Sequence, residues 1–230
     1  DDLRTLNVKQ VYKGGKLVAE NGKMLHQKEK NTDWSTEIKE RVFHSFHRVP
    51  ITVEELQLKE TTGTHQRVID MVAHELITKE RIEEWKELPG VAPGVDISRD
   101  IVKLAAIERH KNTGHVGLGF LGKYGLKKGA VATSIGHDSH NLVIAGVTDE
   151  DMVLAGNRVI ENGGGLAIAL EGKVLADLPL PIGGLMADEP VEVVDEKLEH
   201  MKKLSVELGI SEDIDAFMTL AFISLPVIPK

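Results

Sequence analysis

The centre of the predicted sheet lies in the sequence Ala130-Val-Ala-Thr-Ser-Ile-Gly-His-Asp-Ser-His-Asn-Leu-Val-Ile-Ala-Gly-Val147. Two apolar runs, 130–135 and 142–147, flank a short polar segment, and short apolar runs bounded by turn residues are typical of buried strands. Residues 101–107 form a third run of this kind. Because strands here follow one another without an intervening helix, an α+β fold is favoured over a doubly wound sheet.

Further elements surround these strands. Glycine and asparagine turns predict β-hairpins, and capping residues followed by helical periodicity predict helices. The expected elements are hairpins at 8–19 and 166–178, strands at 51–53 and 68–76, and helices at 36–46, 78–88, 148–163 and 190–209. The final apolar stretch, 216–229, is compatible with a strand or a buried helix. The expected architecture is a mixed or antiparallel sheet with helices packed on it, preceded by a β-hairpin.

Composition excludes several classes of protein. The 230 residues are 41% hydrophobic and 28% charged and include no cysteine, which excludes disulfides, thiolate metal sites and a cysteine nucleophile and fits a reducing, cytoplasmic location. A net charge of −8 and few aromatic residues argue against a nucleic-acid partner. No apolar run reaches the roughly 18–20 residues that span a bilayer, so no membrane partner is expected.

The polar segment between the two apolar runs is the main candidate site. His137 and His140 are suited either to ligating a divalent metal or to exchanging protons near neutral pH, with Asp138 orienting an imidazole. A polar hairpin turn, in which Asp138 and Asn141 bond their own backbone, explains the same residues without a function. The residues alone leave both interpretations open.

Two other groups of polar residues are candidates for a functional site. Glu108-Arg109-His110-Lys111 closes the strand 101–107, and it is either a solvated strand exit or a contributor to the same cleft. His44 and His47, at helical spacing, are typical of surface residues. Each group therefore has an ordinary structural explanation.

Residues 117–122 formally match the glycine pattern of a dinucleotide site, with Asp138 about 20 residues later. Such a site needs a tight turn from a strand into a helix. Six residues separate His110 from Gly117, and further glycines would break a helix here. We therefore reject a dinucleotide site and expect a glycine-rich connection packed against the sheet.

A series of short runs carries a resemblance to a known family: 108–110, 113–114, 117–120, 132–141, 146, 149–152, 163–165, 178–182, 184–186, 217–220 and 225–229. They resemble the C-terminal region of bacterial and archaeal adenine deaminases of the amidohydrolase superfamily, and they occur in the family's order over about residues 67–230. The opening hairpin resembles the end of the β-sandwich that flanks an amidohydrolase barrel. We therefore divide the chain into 1–58, the end of that sandwich with a connector, and 59–230, a C-terminal α+β domain.

The resemblance implies an enzyme of purine salvage that hydrolyses adenine to hypoxanthine and ammonia with manganese or iron. The family's metal ligands lie in an upstream barrel and include a His-x-His sequence, which these 230 residues lack. A barrel of about 250 residues does not fit beside this domain. With its opening Asp1-Asp2-Leu3 instead of methionine, the chain is expected to be a C-terminal piece that holds no metal ligands and is inactive alone.

The resemblance also implies roles for individual residues. We expect the polar segment to line the barrel mouth, with adenine, the upstream barrel and a second copy of the chain as partners. A barrel-capping or oligomerisation domain without catalytic residues, and a free-standing purine-binding module, are the alternatives. The expected catalytic residues are His137, Asp138 and His140, and the expected substrate-binding residues are Ser139, Asn141, Glu108 and His110.

Overall fold

The computed structural model of the chain consists of two compact units, Asp1–Thr36 and Glu37–Lys230. In these described parts, no helix is both long enough and apolar enough to cross a bilayer. The predicted assignment of 1–58 and 59–230 to different domains stays a prediction. The residues that the structure describes are 4–25, 34–58, 63–72, 75–225 and 227–228.

The first unit contains a three-stranded antiparallel sheet. Its strands are β1 (Gln10–Lys13), β2 (Lys16–Glu20) and β3 (Lys23–Met24). Gly14 and Gly15 join the first two strands with positive φ angles, a conformation that glycine adopts at little cost. The hairpin predicted at the start of the chain is confirmed.

The second unit is built on one eight-stranded sheet with the order β11-β10-β8-β9-β6-β7-β4-β5. Neighbouring strands run antiparallel except for β4 and β7, which are parallel. This mixed sheet with helices confirms the predicted α+β fold. The elements are α1 (Thr36–Phe43), α2 (Val53–Leu56), β4 (His65–Met71), β5 (Thr78–Glu84), β6 (Ile101–Ile107), β7 (Val116–Gly122), β8 (Ala130–Thr133), β9 (Leu142–Gly146), α3 (Asp149–Glu161), β10 (Gly165–Leu170), β11 (Lys173–Pro179), α4 (Val191–Glu207) and α5 (Ala216–Ile223).

The central strands are covered on both faces. In β8, Ala130 and Ala132 belong to the same buried cluster as Met152 of α3. Val131 points to the opposite face and joins the cluster that contains Met201 of α4 and the aromatic residue Phe217 of α5. Because successive side chains of a strand alternate between faces, burial on both sides requires a continuous apolar run.

Capping side chains fix where two helices begin. The Thr148 hydroxyl accepts a hydrogen bond from the backbone N–H of Asp151 at 3.3 Å and starts α3. The Asp215 carboxylate accepts from the backbone N–H groups of Phe217 and Met218 at 3.1 and 2.9 Å. This cap shows that the apolar stretch left ambiguous by the sequence forms helix α5.

The helix predicted at 78–88 is wrong, because residues 78–84 form the edge strand β5. This strand pairs residue by residue with β4, from Thr78 opposite Met71 to Glu84 opposite His65. Long-range pairing overrides the helix propensity of this charged stretch, and charged residues suit an exposed sheet edge. The paired strand β4 ends at Met71, earlier than predicted.

Two smaller predictions are also wrong. The strand expected at 51–53 is instead the approach to helix α2, where the Glu55 carboxylate accepts from the Thr52 backbone N–H at 3.0 Å. A contact from the side chain of the third helical residue back to the residue before the helix is part of a helix-start signal. The glycines 117–122, expected in a connection, lie inside strand β7. A Cβ on Gly122 would lie 2.0 Å from the Asp70 carboxylate, which explains glycine there.

Candidate functional site

One end of the eight-stranded sheet brings the predicted site residues together. Strands β6 and β9 pair so that Ile107 lies opposite Leu142, and β8 and β9 pair so that Thr133 lies opposite Val143. Residues 134–141, which we call the histidine turn, connect β8 to β9. The antiparallel register therefore places the histidine turn beside the residues that follow β6.

His110 contacts the histidine turn directly. Its ring Nε2 lies 2.7 Å from the carbonyl oxygen of Ser139, so a protonated Nε2 donates a hydrogen bond to that carbonyl. The rest of His110 is exposed. The structure thus places His110 beside the turn, which is one of the two interpretations that the sequence left open.

The backbone of the histidine turn is tightly folded. The His140 N–H donates to the Gly136 carbonyl at 2.7 Å, and the Ser139 N–H donates to the His137 carbonyl at 2.9 Å. Asp138 and His140 have φ angles of +63° and +47°, in the left-handed region that Asp and His enter more readily than most residues. This geometry leaves 50% of the His137 side chain and 74% of the Asp138 side chain exposed.

The exposed imidazole of His137 is held on several sides. Its ring stacks on Phe222 of α5, with the ring centroids 5.1 Å apart and the planes at 26°. Its backbone N–H donates to the Ala221 carbonyl at 2.7 Å. Its Nδ1 lies 3.1 Å from the Asp138 carboxylate, a partner that favours the proton on Nδ1 and leaves Nε2 as an acceptor.

His140 is half-buried and is tied to the sheet through its backbone. The guanidinium Nε of Arg109 donates to the His140 carbonyl at 2.5 Å. The ring Nδ1 of His140 is buried without a hydrogen-bond partner in the described structure. The side chains of Ser139 and Asn141 are also half-buried.

Ser134, which sequence reasoning missed, anchors the start of the turn. Its buried hydroxyl donates to the Gly184 carbonyl at 2.6 Å and accepts from the Gly165 N–H at 2.7 Å. A Cβ on Gly165 would lie 2.2 Å from the Leu178 carbonyl, so only glycine fits beside this serine. The available signal was a hydroxyl at the end of an apolar run.

The Glu108 carboxylate binds backbone groups of the loop that follows it. Its carboxylate accepts from the backbone N–H groups of His110, Lys111 and Thr113 at 2.5, 2.8 and 2.9 Å, and from the Thr113 hydroxyl. These bonds, the one from Thr113 foremost, lower the pKa of Glu108 to about 2. The ionised carboxylate therefore organises the loop that carries His110.

Replacing Glu108 by glutamine should loosen this loop, because an amide oxygen accepts fewer and weaker hydrogen bonds than a carboxylate. The pKa of Glu108 is lower in the folded chain than the value of 4.5 for the unfolded chain. The ionised carboxylate therefore stabilises the fold fully above pH 4.5, and this contribution is lost as the pH falls toward 2. Hydrogen exchange of amides 110–113 is expected to be faster in Glu108→Gln at pH 7. Glu150→Gln, at an exposed position of α3, is the control, and equal protection in both variants would contradict this role.

Three more histidines lie around this end of the sheet, all exposed. The His47 N–H donates to the Arg109 carbonyl at 2.8 Å, and the His115 carbonyl accepts from the Glu108 N–H at 3.0 Å. His44 follows α1 directly. Across the described ranges, no three His, Asp or Glu side chains are grouped so that they could hold a metal ion. These residues therefore do not fit a metal centre.

An apolar cavity of about 420 Å³ opens beside the histidine turn, between α4, α5 and the sheet. The polar side chains of its lining are already engaged. The Thr133 hydroxyl accepts from the Ile135 N–H, Asp215 caps α5, and the Glu189 carboxylate binds the Lys197 ammonium at 2.7 Å. The lining therefore offers few free polar groups for the edge of a purine.

Comparison with known proteins identifies relatives of the whole chain. Residues 75–230 match the sequence profile of the adenine deaminase C-terminal domain. Adenine deaminase 2 of Carboxydothermus hydrogenoformans is 42% identical over 231 residues, and the adenine deaminases of Lysinibacillus sphaericus and Petrotoga mobilis are each 40% identical over 230 residues.

These alignments cover 100% of this chain but only 38–39% of each relative, so the chain spans well under half of their length. The profile match covers most of the second unit, including strands β6 to β11 and the histidine turn. The resemblance seen in the sequence is confirmed. The chain belongs to the adenine deaminase C-terminal domain family.

Proposed function

We propose that this chain is the C-terminal part of a longer adenine deaminase that hydrolyses adenine to hypoxanthine and ammonia for purine salvage. The support is the name shared by the relatives and the fraction of their length that the chain matches. The manganese or iron expected for such an enzyme would be held by an upstream barrel, where it would supply a water-derived nucleophile. We expect the enzyme to be cytoplasmic and homo-oligomeric.

We place the histidine turn at the mouth of that barrel, facing the substrate. The observation that carries this proposal is the exposed His137 imidazole, held between Phe222 and Asp138 at the end of the sheet. With Asp138 accepting from Nδ1–H, the Nε2 atom is free to accept a proton. Nε2 would take a proton from the water that adds at C6 and return it to the departing amino group, which leaves as ammonia.

The other predicted site residues divide into two groups. Glu108 and His110 are engaged in hydrogen bonds with the backbone. We therefore propose that Glu108 stabilises its own loop and that His110 stabilises the histidine turn. His140, Ser139 and Asn141 lie half-buried at the turn and are proposed to contact the purine. Substrate binding by Glu108 itself is disfavoured because its oxygens are already used.

The 230-residue chain alone is expected to release no ammonia from adenine above the uncatalysed rate, because no group of described residues could hold the metal. The measurement is ammonia release with purified chain, with and without added manganese. Full-length enzyme under the same conditions is the positive control. Metal-dependent turnover by the isolated chain at an enzyme-like rate would show that an upstream barrel is not required.

The alternatives predict different outcomes from the same material. A free-standing purine-binding module would give a saturable heat on titration with adenine, yet the engaged polar groups of the apolar cavity argue against it. A domain that only caps the barrel would leave full-length turnover unchanged when His137 is replaced. The partly exposed imidazole of His137 favours the catalytic assignment.

A further inference from the structure

We propose that Arg109 is the positioning residue of the histidine turn, acting on the reaction through His140 without touching the substrate. The inference rests on the proposed function. Arg109 is 1% exposed and lies at the end of β6. Its Nε donates to the His140 carbonyl at 2.5 Å and its Nη2 donates to the Gly183 carbonyl at 3.1 Å.

Arg109 is a buried cation whose hydrogen-bond acceptors are backbone carbonyls instead of carboxylates. In the part of the chain that the structure describes, no carboxylate lies within ion-pair distance of this guanidinium, and its Nη1 has no hydrogen-bond partner. Burial lowers its pKa. An unpaired buried cation is costly, and an apolar side chain of similar volume would fill the space without that cost.

The guanidinium is clamped from two sides. Its central carbon lies 4.9 Å from the centre of the Phe46 ring. On another side it contacts Gly184, where an added Cβ would lie 2.6 Å from Nη1. A planar group held in this way presents its N–H donors in fixed directions. The Arg109 guanidinium therefore fixes the positions of the His140 and Gly183 carbonyls that it binds.

The histidine turn needs such an external constraint. Its left-handed residues Asp138 and His140 adopt a conformation that persists only when the surrounding structure enforces it. Arg109 joins the carbonyl of His140 to the loop at Gly183, and that loop is itself bonded to the Val42 carbonyl by the Gly183 N–H at 2.8 Å. The side chain thus connects the turn to a second loop that is hydrogen-bonded to helix α1.

The test compares Arg109→Lys with a matched control in the full-length enzyme. Lysine keeps the charge but loses the planar fork, and misplacing a reacting group by about 1 Å can cost on the order of 10²-fold in rate. We expect kcat to fall between about 10- and 100-fold because His137 is displaced with the turn, and KM to rise less, through His140, which the proposed function places against the purine. The control is Arg81→Lys at the opposite end of the sheet, which weakens the contacts of the guanidinium Nε and Nη2 atoms with the Asp70 carboxylate without touching the turn.

A second readout separates positioning from general destabilisation. In histidine-labelled 230-residue chain, the ring resonances of His137 and His140 should shift in Arg109→Lys, whereas that of exposed His200 on α4 should not. If the lysine variant does not fold, Arg109→Met, which keeps the apolar stem, takes its place.

The outcomes distinguish the two proposals. Loss of activity in His137→Ala with full activity in Arg109→Lys would overturn the positioning role and leave the proposed function standing. Full activity in both variants would overturn both. A loss of kcat with unshifted His137 and His140 resonances would also overturn the inference, because positioning requires that the turn moves.

Discussion

Replacing His137 by alanine is expected to lower the turnover of adenine by the full-length enzyme about 100-fold or more, the usual scale of a general acid–base contribution. The imidazole has one nitrogen beside the Asp138 carboxylate and a ring face on Phe222, so under the proposed function the substitution removes an oriented proton carrier. Because half of the side chain is exposed, its removal creates little unfavourable cavity. Steady-state ammonia release gives kcat and KM separately.

The matched control for this experiment is His200→Ala, an exposed histidine on helix α4. It should leave both kinetic constants unchanged. A His137 variant with wild-type kcat would show that the histidine turn is only a structural connection between two strands. A variant with raised KM alone would make His137 a binding residue instead of a proton carrier.

The largest expected effect on stability comes from the buried ion pair between β6 and α3. The Lys103 ammonium lies 2.7 Å from the Asp149 carboxylate, and their side chains are 1% and 9% exposed. Lys103→Met leaves a buried carboxylate without its cation, which typically costs about 3–5 kcal/mol in the free energy of unfolding. Urea denaturation of the 230-residue chain measures this difference.

Two control variants help to interpret the change in the free energy of unfolding. The double variant Lys103→Met, Asp149→Leu removes both charges and should recover most of the lost stability. Lys202→Met breaks a pair with Glu199 whose side chains are 40% and 53% exposed, so the free energy of unfolding should change by less than about 1 kcal/mol. A single Lys103 variant as stable as the wild-type chain would show that the pair contributes little.

The central strands could be predicted because their signal is local. Strands buried on both faces need continuous apolar runs, and residues 101–107 are found as a strand with the predicted bounds. The α3 cap at Thr148 was similarly visible. The edge strand β5 could not be predicted from the sequence, because its charged residues suit a helix surface as well as a sheet edge. Only the pairing with β4 decides between the two.

The candidate site was predictable in its residue types but not in its connections. Two histidines beside an aspartate are compatible with proton chemistry and equally with a polar turn, so the residue types named the candidate without deciding between the two. Arg109 and Ser134 were missed as supporting residues because their hydrogen-bond partners lie far away in the sequence. Those of Arg109 lie 31 and 74 positions away, and those of Ser134 lie 31 and 50 positions away. Such carbonyl and N–H partners are backbone groups, which leave no mark in the sequence.

A structure of the full-length enzyme with hypoxanthine bound would test the role of the histidine turn most directly. We expect the His137 Nε2 to lie within hydrogen-bond distance of the purine C6 substituent or of a water beside it, about 2.6–3.2 Å. Its Nδ1 should still lie against Asp138. A purine enclosed by other residues, with the histidine turn facing solvent or another subunit far from it, would contradict a catalytic role for His137.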